Sequence, residues 1–268
     1  MLSISLLLRW GTPSVIEVLL PDSVPLWACI SLILFSYVTS AVTVTFGLGG
    51  GVMMLVAIGS VLPPLAVIPV HGVVQLGSNA GRAYVMREHT ERRLFGFFVI
   101  GALVGVAIAA QIVVSLPQAA LQAMLACFIL YTVWGPKLGK HKIPAAGFIG
   151  VGAVTTFATM FVGATGPLLA AFLPPDRYGK MITVATHSAC MMVQHGVKVV
   201  AFGIIGFAFP EWLPLIMAMI ATGFLGTTTG KKVLEWMPER IFAIGFKTVL
   251  TLLAVRLLWV GASSLIGF

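Results

Sequence analysis

From Pro25 to Phe46 the chain contains no Asp, Glu, Lys or Arg, and the same holds from Leu94 to Trp134. A bilayer core takes about 20 apolar residues per helix, so the second stretch is long enough for two. Neither run alternates apolar and polar positions as barrel strands do, which leaves helices as the spanning element. The apolar runs, and the Gly, Pro and charged positions that break them, predict helices at 25–46, 51–59, 65–86, 94–114 and 118–135. A second series follows at 144–162, 167–173, 180–206, 211–230 and 239–260. Two of these, 51–59 and 167–173, are too short to cross a bilayer. Arg9, Gly11, Pro13, Glu17 and Asp22 interrupt the first two dozen residues. Residues 1–24 therefore read as an interfacial leader rather than a span, and Met1–Leu8 lacks the basic stretch of a cleavable signal.

The two series resemble each other. Gly47-Leu48-Gly49-Gly50-Gly51 is similar to Gly163-Ala164-Thr165-Gly166-Pro167, and Val70-His71 is similar to Thr186-His187. Asn79-Ala80-Gly81-Arg82 is similar to His195-Gly196-Val197-Lys198. Gly47 and Gly163, His71 and His187, and Arg82 and Lys198 are each separated by 116 positions. This points to an internal repeat over 25–136 and 144–268.

Loop charges give the repeat a direction. Arg87, Arg92 and Arg93 lie in one loop, and Arg177 and Lys180 in another. Lys231, Lys232 and Arg240 lie in a third, and Lys137, Lys140 and Lys142 in the linker 137–143. By the positive-inside rule all four are expected on the cytoplasmic side. The loops 60–64, 115–117 and 207–211 carry no Lys or Arg and are expected outside. Loop 87–93 corresponds to 207–211, so equivalent loops fall on opposite sides and the repeats should be inverted. Inversion needs an odd number of crossings per repeat. That holds if 25–59 and 144–173 are broken-helix hairpins, each followed by three transmembrane helices. The expected fold is an all-α polytopic membrane protein of two inverted repeats, a plan that recurs among transporters.

Composition agrees with a membrane protein: 59% of the residues are hydrophobic and 9% charged, against about 25% charged in soluble domains. The net charge of +8 is accounted for by the basic loops and does not call for a nucleic-acid partner. Cys29, Cys127 and Cys190 sit in apolar surroundings and read as buried small hydrophobes. A P-loop, an HExxH motif and a Cys pair at metal-ligand spacing are all missing, so no metal or cofactor is expected and an enzyme is disfavoured.

The candidate chemistry lies at the repeat's matching positions. The two glycine-rich tips would place the starts of short helices at membrane depth, where free N–H groups favour an anion. This nominates Gly50, Gly51, Thr165 and Gly166; the alternative is close helix packing by small residues. His71 and His187 follow at equivalent places. Gln75 and Asn79 share a helical face with His71 and Arg82, as Gln194, His195 and Lys198 do with His187. Polar groups along an apolar helix should face the interior or a water path. Arg82 and Lys198 are possible charge partners of an anion, or else snorkel to an interface. No Asp or Glu is predicted at mid-membrane, which favours an anionic substrate over a cation.

Phe46-Gly47-Leu48-Gly49-Gly50-Gly51, Pro63-Pro64 and the polar helix from Val70-His71 to Ala80-Gly81-Arg82 together resemble the TauE/SafE sulfite exporter family of membrane permeases. With the duplication, the resemblance covers about residues 25–260. The second tip departs from it, with Ala164-Thr165 where a glycine-rich repeat is expected. The resemblance implies export of sulfite-like or organosulfur anions without an ATPase. The expected protein is a multi-pass secondary transporter of the bacterial inner membrane, working by alternating access around a midplane site. Another small anion such as a carboxylate is the alternative substrate, and a cation or metal permease a weaker one. Proton coupling, simple uniport and a homodimeric assembly remain open.

Overall fold

The computed structural model describes residues 21, 24–111, 130, 134, 143–162, 165–204 and 206–266. The leader apart from Pro21 and Val24, most of the predicted 118–135 helix, loop 115–117, all of linker 137–143 but Ile143, and Gly163-Ala164 at the second tip lie outside them.

The first series forms α1 (Leu26–Phe46), α2 (Gly50–Val61), α3 (Pro64–Val85) and α4 (Arg92–Gln111). The second forms α5 (Phe148–Val162), α6 (Gly166–Ala171), α7 (Pro175–Tyr178), α8 (Lys180–Ile204), α9 (Leu213–Trp236) and α10 (Glu239–Ile266). No strand occurs among the described residues. Gly47 ends α1 in a left-handed conformation with φ at 83°, and Gly49 precedes α2 with φ at 106°. A side chain at either place would be strained, so the tip requires glycine. The 12 residues of α2 rise only about 18 Å, short of a hydrocarbon core of about 30 Å. The α1–α2 turn brings Leu62, after α2, into the same apolar cluster as Val24, before α1.

Three helix pairs hold the molecule together: α4 with α5, α1 with α9, and α3 with α8. The first two rest on missing side chains. A Cβ built on Gly101 would lie 1.9 Å from the Ile149 carbonyl oxygen, and one on Gly226 would lie 2.1 Å from that of Tyr37. Small residues thus let the backbones touch, as expected where the solvent is lipid and packing replaces the hydrophobic effect. Hydroxyls add cross-links: Ser36 donates to the Met219 carbonyl and Thr222 to that of Ile33, both at 2.7 Å.

The loops sort by charge. Val24, Leu62, Ala66 and Trp212 pack in one apolar cluster with Phe207 against it, so the loops 60–64 and 207–211, which carry no Lys or Arg, share one end. The described basic loops share the other. Lys231 Nζ donates to the Val85 carbonyl at 3.4 Å, Lys180 Nζ donates to the carbonyls of Glu235 and Met237, and Lys247 pairs with Asp176 at 3.1 Å. The Glu91 amide donates to Thr186 Oγ1 at 3.0 Å, tying loop 87–93 to the start of α8.

Large apolar side chains face outward, and a set of polar ones is buried among the apolar core clusters. Leu34, Leu65, Ile204, Leu252 and Trp259 are exposed, while Arg82, His71, His187, Gln194 and Lys198 are buried. Three helical segments, Leu26–Phe46, Arg92–Ala109 and Phe209–Trp236, are long and apolar enough to cross a membrane on composition alone. The helices α3 and α8 carry the buried His, Gln, Asn, Arg and Lys side chains instead, and α1 and α5 add buried hydroxyls.

Candidate functional site

The site forms where α3 and α8 cross the centre antiparallel. Gly72 lies against Lys198, and Arg82 reaches Ser188, so residues near the start of one helix meet residues near the end of the other. The short helices α2 and α6 both begin beside this pair. Between them lies a cavity of about 40 Å³. A buried water needs roughly 10–15 Å³ of such volume, so the space suits an ion of a few heavy atoms.

His71 Nε2 lies 2.9 Å from the Gly51 carbonyl oxygen, and His187 Nε2 lies 3.0 Å from that of Gly166. A carbonyl can only accept, so Nε2 carries the proton in both rings. Each histidine thereby ties its crossing helix to the first turn of its own hairpin helix. His195 stands beside His71, with ring centroids 5.9 Å apart and planes at 77°.

His71, His187, His195, Gln75, Asn79, Gly51 and Gly166 all line the cavity. Gly50 does not: a Cβ there would lie 1.9 Å from the Thr39 carbonyl oxygen, so its face is used for packing on α1. Thr165 and Gln194 stand behind the wall. Gln194 Nε2 donates to Thr155 at 2.7 Å and Thr156 at 3.3 Å, and Thr165 donates to Gln194 Oε1 at 3.4 Å. They clamp α8 to α5 and to the second tip. Arg82, 1% exposed, donates to Asn79 Oδ1, Ser78 Oγ and Ser188 Oγ, all neutral. Lys198 is equally buried. Neither snorkels to an interface.

Thr43, Leu48, Gly49, Val52, Pro167 and Met191 complete the wall. The repeat itself carried a signal for Thr43: Thr39, Ser40 and Thr43 recur 116 positions later as Thr155, Thr156 and Thr159. The cavity wall contains no Asp or Glu. Among the described residues no group of three or more His, Cys, Asp or Glu is placed to hold a metal ion. In α2 the amides of Val52 and Met53 take the Gly49 carbonyl, both at 3.1 Å, which leaves the Gly50 and Gly51 amides without helical partners.

A glycine-broken hairpin, a polar crossing helix and its counterpart in the second series suit a membrane permease. A family model described as sulfite exporter TauE/SafE matches residues 32–257. The chain belongs to the TauE/SafE sulfite exporter family. The match runs from within α1 to within α10 and so spans both series. TauE/SafE proteins are membrane transporters, and with its apolar helices this member is a multi-pass membrane protein. Comparisons with curated proteins and with solved structures return no match.

Proposed function

We propose that this TauE/SafE protein is a secondary transporter that exports small organosulfur anions such as sulfite or sulfonates. It works in the bacterial inner membrane by alternating access around the cavity between two inverted repeats, and it is not an enzyme. One observation carries the reading: the polar wall of the cavity holds three histidines, Gln75 and Asn79 but no carboxylate, beside buried Arg82 and Lys198. Positive charge inside a bilayer is costly. A small oxyanion brings negative charge to this wall and accepts hydrogen bonds from the surrounding donors. The placement of equivalent loops at opposite ends, and the reciprocal packing of α4 on α5 and α9 on α1, support inverted repeats.

Transport of sulfite by the purified protein in proteoliposomes tests this. His71→Ala and His187→Ala should each lower the flux while the protein still folds and inserts. Wild-type flux in both variants would remove the histidines from the site. Sulfite, sulfonates or carboxylates should raise the melting temperature of the purified protein. Stabilisation by cations alone would instead favour a cation permease.

A further inference from the structure

The histidine that ties α8 to the second hairpin has one ring nitrogen left over. His187 Nε2 donates to the Gly166 carbonyl, and His187 Nδ1 is buried with no hydrogen-bond partner. A buried polar atom left unsatisfied costs on the order of 1–3 kcal/mol. While the ring is neutral, Nδ1 presents a lone pair, which repels the lone pairs of an oxyanion. A second proton on the ring changes this. The bond to Gly166 is kept, and Nδ1–H becomes a charged donor.

Resting on the anion reading above, we propose that the cavity takes up one proton with each anion, and that Nδ1 of His187 holds it. The charged and titratable groups around His187 are His71 and Arg82 from α3, with His195 and Lys198 from α8; Cys190 of α8 lies in an apolar cluster, and Glu91, whose amide bonds Thr186, and Arg92 and Arg93 of α4 are exposed. None occurs in α2, α5 or α6. In α1, Tyr37 turns outward to Thr229, and Cys29 lies in the apolar cluster of Val24, Leu62 and Trp212. No carboxylate on the wall can take the proton. A further positive charge beside Arg82 and Lys198 is repelled until an anion fills the cavity. The two ligands therefore enter together: the proton comes from solvent, the anion's charge is offset, and neither binds well alone. By linkage, anion affinity then rises with proton activity.

Calorimetric titration of the full-length protein with methanesulfonate, at neutral pH in buffers of different ionisation enthalpy, tests this. Methanesulfonate cannot carry the proton itself, so uptake must fall on the protein. The apparent enthalpy should depend on the buffer with a slope of about one proton per anion. In His187→Gln the slope should fall to near zero while weaker binding remains. Binding without proton uptake in the wild type overturns the inference and leaves the anion reading standing. A full slope in His187→Gln overturns the assignment to His187. Should that variant not fold, the wild-type slope still decides the proton. If only sulfite binds, the same slope, corrected for sulfite's own proton, applies. No binding of either anion overturns the anion reading, and this inference with it.

Discussion

One methyl group should have opposite consequences at the two adjacent glycines that open α2. At Gly50 a new Cβ would lie 1.9 Å from the Thr39 carbonyl oxygen, 2.2 Å from Thr43 Oγ1 and 2.6 Å from the Thr39 carbonyl carbon. Real Cβ contacts essentially never fall below 3.0 Å, and two of these three atoms are backbone. Gly50→Ala must push α2 away from α1 by about an ångström, and the Thr43–Thr39 hydrogen bond at 2.7 Å lies in the path. Overpacking of this kind costs about 1–3 kcal/mol, which lowers Tm by about 2–12 °C for a chain of this size. At Gly51 the nearest atom is Gln75 Oε1 at 3.2 Å, the end of a side chain that can shift. Gly51→Ala should melt near the wild type, but its methyl enters the cavity and should reduce anion flux several-fold. Thermal unfolding in detergent and uptake in proteoliposomes read the two effects separately. A wild-type Tm for Gly50→Ala would refute the close approach of α1 and α2. Wild-type flux for Gly51→Ala would refute the cavity as the substrate path.

The end-for-end sorting of loops predicts labelling. Ser60→Cys and Glu211→Cys should react with an impermeant thiol reagent in intact cells, whereas Glu88→Cys and Arg240→Cys should react only after permeabilisation; one exchanged pair would break the assignment. Gln194→Leu takes away the partner of the Thr156 and Thr165 hydroxyls, while Thr155 keeps its bond to the Val151 carbonyl, and should lose about 1–3 kcal/mol of stability, read as a lower Tm; an unchanged Tm would mean the clamp is not made. The Lys247–Asp176 pair is 37% exposed on each side, so Asp176→Asn should cost no more than about 1 kcal/mol, or about 4 °C in Tm. A larger fall would show that this contact holds the basic end closed.

Where hard breakers stand, the elements were legible from the residues. The expected helix 25–46 is found as Leu26–Phe46, bounded by Pro25 and the left-handed Gly47. The helix expected to stop at 230 continues to Trp236. Lys231 and Lys232 were read as its end, but lysine is a good helix former. Lys231 pairs with Glu235 one turn on, at 3.6 Å, and the break comes at Met237-Pro238. The polar part of the site was legible for a different reason. His71, Gln75 and Asn79 stand out on an apolar helix because burying them needs a purpose. Leu48, Val52 and Met191 carry no such mark, since an apolar side chain in an apolar chain is indistinguishable from packing. Gly50 and Gly51 show the limit most directly. They are identical neighbours in the sequence, and only the position of Thr39 across the hairpin gives one to packing and the other to the cavity.

The packing also constrains how the site could open. Gly101, Gly105 and Gly152 hold α4 against α5 at distances a single Cβ would violate, and Gly223, Gly226 and Gly230 do the same for α9 and α1. Backbones in such contact cannot slide without side chains meeting carbonyls, so each pair should move as one piece. If alternating access occurs, its moving bodies are then not the two sequence halves. One body is α1 and α2 with α9, and the other is α5 and α6 with α4. Each joins a hairpin from one half to a span from the other. The antiparallel α3 and α8 run between them, and each histidine bonds only to the hairpin of its own half. A rocking motion that keeps both glycine interfaces and both histidine bonds must therefore shear α3 against α8. The contacts that cross that boundary are the ones that must change, and among them is the hydrogen bond from Arg82 to Ser188. At 3.4 Å it is the longest of the three that Arg82 makes. Arg82 keeps Ser78 and Asn79 within its own helix when that bond is lost, so its charge stays hydrogen-bonded while the cavity beside it opens.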